Sequence, residues 1–178
     1  MPRVSFISIT FSLLMGALIG CSSLRVMGPY TPERPYAHDK SMENASTLSP
    51  RLIWPVSSIH ISRGFSSFHD GLDLTGHLNS PIYAAHSGVV VFAGTGFKGY
   101  GRMILLEYNA HWATLYAHLN KLYVKTGERV ERGEVIGAMG QTGRATGVHL
   151  HFEVLKDKLP VDPLKVLPSP TPQRASSY

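Results

Sequence analysis

His149-Leu150-His151-Phe152-Glu153-Val154-Leu155 alternates polar and apolar residues almost one by one. On a β-strand that period of two sends Leu150, Phe152 and Val154 towards a core and turns His149, His151 and Glu153 to the opposite face. The pattern extends outward through the chain. The apolar runs Ile82 to Ala85, Val89 to Ala93, Met103 to Tyr108, Ala113 to Leu119 and Val135 to Met139 are short and bounded by glycine or polar residues, as in antiparallel strands joined by turns. Alternation within Thr114 to Leu119 aligns Thr114, Tyr116 and His118. Lys125-Thr126-Gly127-Glu128-Arg129-Val130 and Glu131-Arg132-Gly133-Glu134-Val135 read as charged surface turns. No stretch of a dozen residues keeps a helical apolar period without an interrupting Gly or Pro, so the expected class is mainly β, a compact antiparallel domain with little helix.

Composition bounds the rest. A chain of 178 residues that is 43% apolar suits one globular domain plus tails. The balance of 17 Lys+Arg against 12 Asp+Glu gives +5, which favours an acidic polymer or surface and is too small to argue for nucleic acid. A single cysteine, Cys21, excludes both an intrachain disulfide and a Cys-based zinc site, so metal or proton chemistry falls to the nine histidines with Asp or Glu. Gly94-Thr95-Gly96-Phe97-Lys98-Gly99 matches the dinucleotide fingerprint, which needs a helix after it to hold a pyrophosphate. Tyr100-Gly101-Arg102 leads instead into the strand-like Met103 to Leu106, and the glycines read as a hairpin loop.

The ends carry address rather than fold. Residues 1–20 have one basic residue, Arg3, before an uncharged, mostly apolar stretch, the form of a secretory signal and short of the roughly 20 apolar residues of a spanning helix. Leu18-Ile19-Gly20-Cys21 resembles the lipobox of bacterial lipoproteins, which makes residues 1–20 a lipoprotein signal peptide and Cys21 the lipidated N-terminus. In a Gram-negative cell, Ser22 resembles a signal for outer-membrane sorting facing the periplasm. Residues 21–50, rich in Ser, Pro and charge, read as a flexible tether; 51–167 as the folded domain; and 168–178, with Pro168-Ser169-Pro170-Thr171-Pro172, as a disordered tail.

The chemistry concentrates in His69-Asp70-Gly71-Leu72-Asp73, in Tyr116-Ala117-His118-Leu119 and in the His-x-His strand. Imidazole and carboxylate donors suit zinc, and three protein ligands with an open fourth position describe a catalytic zinc site. His69 and Asp73 around Gly71 are placed to meet at one point. Spacing alone leaves open whether His149, His151 or both bind the ion.

These segments, with Pro81-Ile82-Tyr83-Ala84-Ala85, Gly88-Val89-Val90 and Thr146-Gly147-Val148 ahead of the His-x-His strand, resemble the lysostaphin-type (LytM-like) zinc metallopeptidases, from Trp54-Pro55-Val56 to Pro163-Leu164. The resemblance implies a duplicated-hybrid-type β fold with its site in a groove. It implies one Zn2+ per chain held by His69, Asp73 and His151, with His118 and His149 as non-ligand catalytic histidines. The implied activity is zinc-dependent hydrolysis of peptide bonds in peptidoglycan, by a cell-envelope enzyme attached to the membrane through lipid. The alternative is a non-catalytic LytM-like regulator that activates other wall hydrolases, and a regulatory protein partner fits either reading.

The chain departs from the family pattern at three places: Val148 replaces the usual Pro, Phe65-Ser66-Ser67-Phe68 is a short connection over the groove, and Tyr108 stands where His is frequent. His38, His60, His77, His86 and His111 have no counterpart in the family and are expected mostly at the surface. Trp54 and Trp112 are expected in the core or at a strand edge rather than in a sugar-binding groove. Glu153 is read with equal weight as support behind the site or as an ordinary polar strand residue.

Overall fold

Strand-forming runs of this length bury one face each, and the chain satisfies them by pairing neighbours in two antiparallel sheets. A computed structural model describes residues 48–170. The signal peptide, residues 21–47 of the tether with Cys21 and His38, and residues 171–178 of the tail lie outside the described residues. The strands are β1 (Ile61–Arg63), β2 (Leu72–Thr75), β3 (Pro81–Tyr83), β4 (Gly88–Gly94), β5 (Arg102–Glu107), β6 (Trp112–Leu119), β7 (Lys121–Leu122), β8 (Arg129–Val130), β9 (Val135–Ala138), β10 (His149–Lys156) and β11 (Leu159–Val161).

The larger sheet runs β1-β2-β10-β6-β5-β4-β8, with β11 hairpinned onto β10, and the smaller runs β3-β9-β7. The helical content of the described residues is one 3-10 turn, Pro163–Lys165, whose first turn is capped by Asp162 accepting from Leu164 N at 3.1 Å.

On one face of the larger sheet Leu72, Leu74, Leu150, Phe152, Tyr116, Ile104 and Leu106 are buried in one cluster with Ile82 of β3 and Ile136 of β9, so the smaller sheet packs over that face. Each such side chain contributes about 1.5–3 kcal/mol on burial. The other face carries a smaller cluster of Met103, Leu115 and Ala117, flanked by Tyr100, Leu105 and Leu155. The two charged turns form as read: Glu128 N donates to Lys125 O at 3.1 Å and Glu134 N to Glu131 O at 3.0 Å. The Gly94–Gly99 segment is the β4–β5 hairpin connection, followed by a strand.

Two expectations need correction. His86, expected at the surface, is buried at 1% exposure beneath the sheet. The Thr114 hydroxyl lies 3.0 Å from its Nε2 and 2.9 Å from the Tyr116 hydroxyl, its Nδ1 donates to Ser87 O at 3.0 Å, and Ala85 N donates to Tyr116 at 2.8 Å. A buried imidazole is tolerated because both of its ring nitrogens have partners in this hydrogen-bonded relay. His60 and His77 are exposed as expected, and His111 is half-buried against Asp157.

The second correction concerns β6. Strict alternation would put His118 on the core face with Thr114 and Tyr116. Between Ile104↔Tyr116 and Arg102↔Leu119 the register slips by one residue, and His118 takes a left-handed φ of 62°. This β-bulge swings the imidazole to the opposite face of the sheet. Trp112 is a buried core residue, and Trp54 packs on that core with Nε1 donating to Pro168 O at 2.9 Å, as expected of structural tryptophans.

Candidate metal centre and active site

Register places the central residues side by side: Asp73 on β2 pairs with His151 on β10, which pairs with Ala117 on β6. His69 arrives from the turn before β2, where Ser66 and His69 close a tight bridge through N–H···O bonds of 2.9 and 3.1 Å. Glycine is required at position 71, because a Cβ there would sit 2.3 Å from Phe152 O. The β10 backbone thus lies directly against the turn and fixes His69 and Asp73 beside His151.

The three converge closely. Asp73 Oδ1 is 3.0 Å from His69 Nε2 and 2.8 Å from His151 Nδ1, and those two nitrogens are 3.1 Å apart. A tetrahedral zinc with bonds of about 2.0–2.1 Å spaces its ligands about 3.3 Å apart. The triangle would open by only a few tenths of an ångström to fit such an ion. His69 and His151 are 7% and 8% exposed, so water cannot freely satisfy these atoms.

Proton placement explains why a cation suits the point of convergence. His69 Nδ1 donates to Gly64 O at 2.8 Å, which leaves its Nε2 as a lone pair aimed at Asp73. His151 Nε2 donates to Glu153 Oε1 at 2.9 Å, and the same oxygen accepts from the Tyr100 hydroxyl at 2.8 Å. Its Nδ1 therefore also faces inward. Two lone pairs and a carboxylate oxygen meet with their protons held outside, an arrangement completed by a metal ion.

Burial opposes charge on His151, but hydrogen bonds and charge from Asp73 and Glu153 outweigh it and raise its pKa to about 9. Asp73 is lowered: burial would raise it, and the His151 hydrogen bond with the nearby His69, His151 and His149 charges prevails. Tyr100 is pushed upward, first by burial and then by Glu153, which keeps its hydroxyl a donor.

His118 and His149 stand beside this triad, their ring centroids 4.7 Å apart, with His118 5.9 Å from His151. His118 Nδ1 donates to Thr142 O at 2.8 Å, leaving Nε2 as the free nitrogen of a ring that lines the groove. Burial is the main reason its pKa is lowered, although the Thr142 bond works the other way. His149 Nδ1 donates to Gly147 O at 2.9 Å, and its Nε2 lies 3.7 Å from Asp73 Oδ1.

All five residues expected at the site lie along one groove of about 440 Å3, whose walls include Arg63, Phe68, Lys98, Tyr100, Arg144 and Thr146. Phe68, in the short connection, is 89% exposed at its rim. Tyr100 and the carbonyls that anchor the histidines had no signal in the sequence. Their parts depend on contacts between residues as far apart as Tyr100 and Glu153.

Residues 67–163 match peptidase family M23, more than half of the chain and inclusive of all five site residues. The chain belongs to peptidase family M23. M23 peptidases are zinc-dependent, and the acceptor triad fits that ion. The M23 chain is 41% identical over 117 residues to a lipoprotein NlpD/LppB homolog of Pseudomonas aeruginosa, a match covering 65% of this chain and 39% of that protein. It is 33% identical to the peptidoglycan DD-endopeptidase ShyA of Vibrio cholerae, over 73% of this chain and 29% of ShyA. It is 29% identical to the murein hydrolase activator NlpD of Salmonella dublin, over 80% and 39% of the two chains. Among solved structures, a zinc-containing peptidase from Vibrio cholerae superimposes with a TM-score of 0.60 at 35% identity, covering 67% of this chain and 41% of that one. The match spans well under half the length of these curated relatives.

Proposed function

We propose that this M23 chain is a lipid-anchored, zinc-dependent endopeptidase that hydrolyses peptide bonds in peptidoglycan cross-links. His69, Asp73 and His151 hold one zinc per chain, and Glu153 and the Gly64 carbonyl orient the two imidazoles from behind. When bound, the zinc supplies Lewis acidity that activates water at neutral pH and polarises the scissile carbonyl.

The remaining work falls to side chains. His118 is held neutral by burial with its proton fixed on Nδ1, so Nε2 accepts the proton of the attacking water and returns it to the leaving amine. His149 directs Nε2 towards the same space and stabilises the developing oxyanion when it carries a proton. The chain carries no H-E-x-x-H motif whose glutamate would serve as base.

The observation that carries this reading is the complete acceptor set with each histidine proton anchored outward. The short Phe65–Phe68 connection favours access by bulky cross-linked peptides, and the similarity to a DD-endopeptidase favours a D-alanyl bond. Digestion of isolated peptidoglycan by the purified protein, with products identified by mass spectrometry, tests it: cross-link cleavage is expected, abolished by chelation and restored by zinc. Release of glycan fragments alone, or cleavage only at the sugar–peptide amide, would overturn it.

The activator reading draws on the Salmonella relative. It requires stimulation of a second hydrolase that survives loss of zinc, as in His151→Ala. Anchoring at Cys21, with residence at the outer membrane facing the periplasm, is supported by three relatives named lipoproteins. Cys21→Ala is expected to leave the membrane fraction or escape processing.

A further inference from the structure

Beside the metal centre the groove continues into a recess lined by Lys98, Gly99, Gly143 and Arg144, of which Lys98, Gly99 and Arg144 also line the groove. Two loops meet there, the glycine-rich β4–β5 connection and the segment 140–147 ahead of β10. Arg144 N donates to Gly99 O at 2.7 Å, and Arg102 N to Thr142 Oγ1 at 2.9 Å. A Cβ on Gly143 would lie 2.4 Å from Gly101 N, and one on Gly101 would lie 2.5 Å from the Thr142 carbonyl carbon. Both glycines have positive φ, 73° and 67°. The two backbones are therefore in direct contact, and the Thr142 hydroxyl is held between them.

This frame also positions the proton-transfer residues. The 140–147 segment supplies the Thr142 carbonyl that anchors His118 and the Gly147 carbonyl that anchors His149. Lys98 and Arg144 are exposed, and among the described residues neither has a carboxylate within 4.0 Å, Asp70 in the same groove included. Two unpaired cations on a fixed frame, one a planar fork and one a point charge, are a receptor for a carboxylate.

Resting on the endopeptidase reading, we infer that Lys98 and Arg144 form a specificity subsite that binds a free carboxylate of the peptide flanking the scissile bond. The glycine-rich loop, excluded as a nucleotide site, thereby gains a role as the support of Lys98. The carboxylate is a side-chain or a chain-terminal one, and the two are separable by chemistry.

The test uses the full-length, zinc-loaded protein and a D-alanyl cross-link peptide in three forms: both carboxylates free, the side-chain carboxylate amidated, or the terminal one amidated. Amidation at the recognised position is expected to lower kcat/KM about tenfold or more, chiefly through KM. Lys98→Gln with Arg144→Gln should reduce cleavage of the free acid to the level of the amide in the same variant. Lys125→Gln with Lys165→Gln, an equal change of net charge outside the groove, should preserve the discrimination.

Calorimetric binding of the uncleavable half-peptide that bears the carboxylate, against its amide, reads the subsite independently of turnover. Acid-over-amide preference in binding without any cleavage would sink the endopeptidase reading and keep the subsite. Equal handling of acid and amide by the wild type, or a preference that persists in the double variant, would overturn the subsite.

Discussion

Glu153 offers a quantitative test of the proposed zinc site. Its carboxylate is 3% exposed, and a single oxygen accepts both the His151 Nε2 proton at 2.9 Å and the Tyr100 hydroxyl at 2.8 Å. Glu153→Gln keeps the size and one carbonyl oxygen but removes the charge. His151 Nδ1 then becomes a weaker donor to zinc, because the carboxylate no longer draws the ring's proton outward. Loss of such an outer partner costs 10- to 100-fold in metal affinity, or about 1.4–2.7 kcal/mol. That range agrees with the roughly 1.5–3 kcal/mol of a charge-assisted hydrogen bond. Zinc titration against a competing chelator at constant pH reads the change directly, with Tyr100→Phe as a milder companion that leaves the carboxylate in place. A Glu153→Gln protein that binds zinc within twofold of the parent would refute the argument and return Glu153 to an ordinary polar strand position.

Further outcomes follow from the same geometry. His69→Ala, Asp73→Ala and His151→Ala are each expected to lose zinc and activity together, whereas His118→Ala and His149→Ala keep near-stoichiometric zinc and lose on the order of 10²-fold in turnover; metal analysis of all five checks the division, and zinc lost from His149→Ala but kept by His151→Ala would reverse it. His86 is held below its ordinary pKa by burial, so the folded state resists its protonation. Stability from this residue is full above the unfolded value of about 6.5 and erodes as pH falls below it. His86→Gln should flatten that acid slope in denaturant titrations while costing about 1–3 kcal/mol at pH 8 through the broken Thr114 contact; an unchanged slope would show that His86 does not carry it. Gly71→Ala should destabilise the domain and weaken zinc binding together, since its Cβ would meet Phe152 O at 2.3 Å; a thermal midpoint equal to the parent's would contradict the close approach.

Most of the sheet was legible because its long strands are patterned. Expected runs such as Val89 to Ala93 and His149 to Leu155 differ from β4 and β10 by one or two residues at their ends. The short strands β1, β7, β8 and β11 were not legible, since two or three residues carry no period and exist only through a partner. The triad was visible as chemistry in His69, Asp73 and the His-x-His pair, but the choice within that pair required a family resemblance rather than spacing. The alignment of His118 with Thr114 and Tyr116 failed because alternation contains no record of a bulge. His86 was missed because its burial depends on Thr114, 28 residues away.

The bulge at His118 also bears on how such a domain can change over time. A residue with a Cβ in the left-handed region costs about 1–2 kcal/mol, a burden that glycine or asparagine largely escapes. The proton transfer proposed for His118 would be the reason to hold an imidazole there against that bias. Replacement of His118 by glycine would relieve that backbone cost while giving up the Thr142 hydrogen bond and a ring that is only 8% exposed. In an M23 domain built this way, the strained bulge and the ring it presents pull in opposite directions, and a proton-transfer role is what would keep the two together.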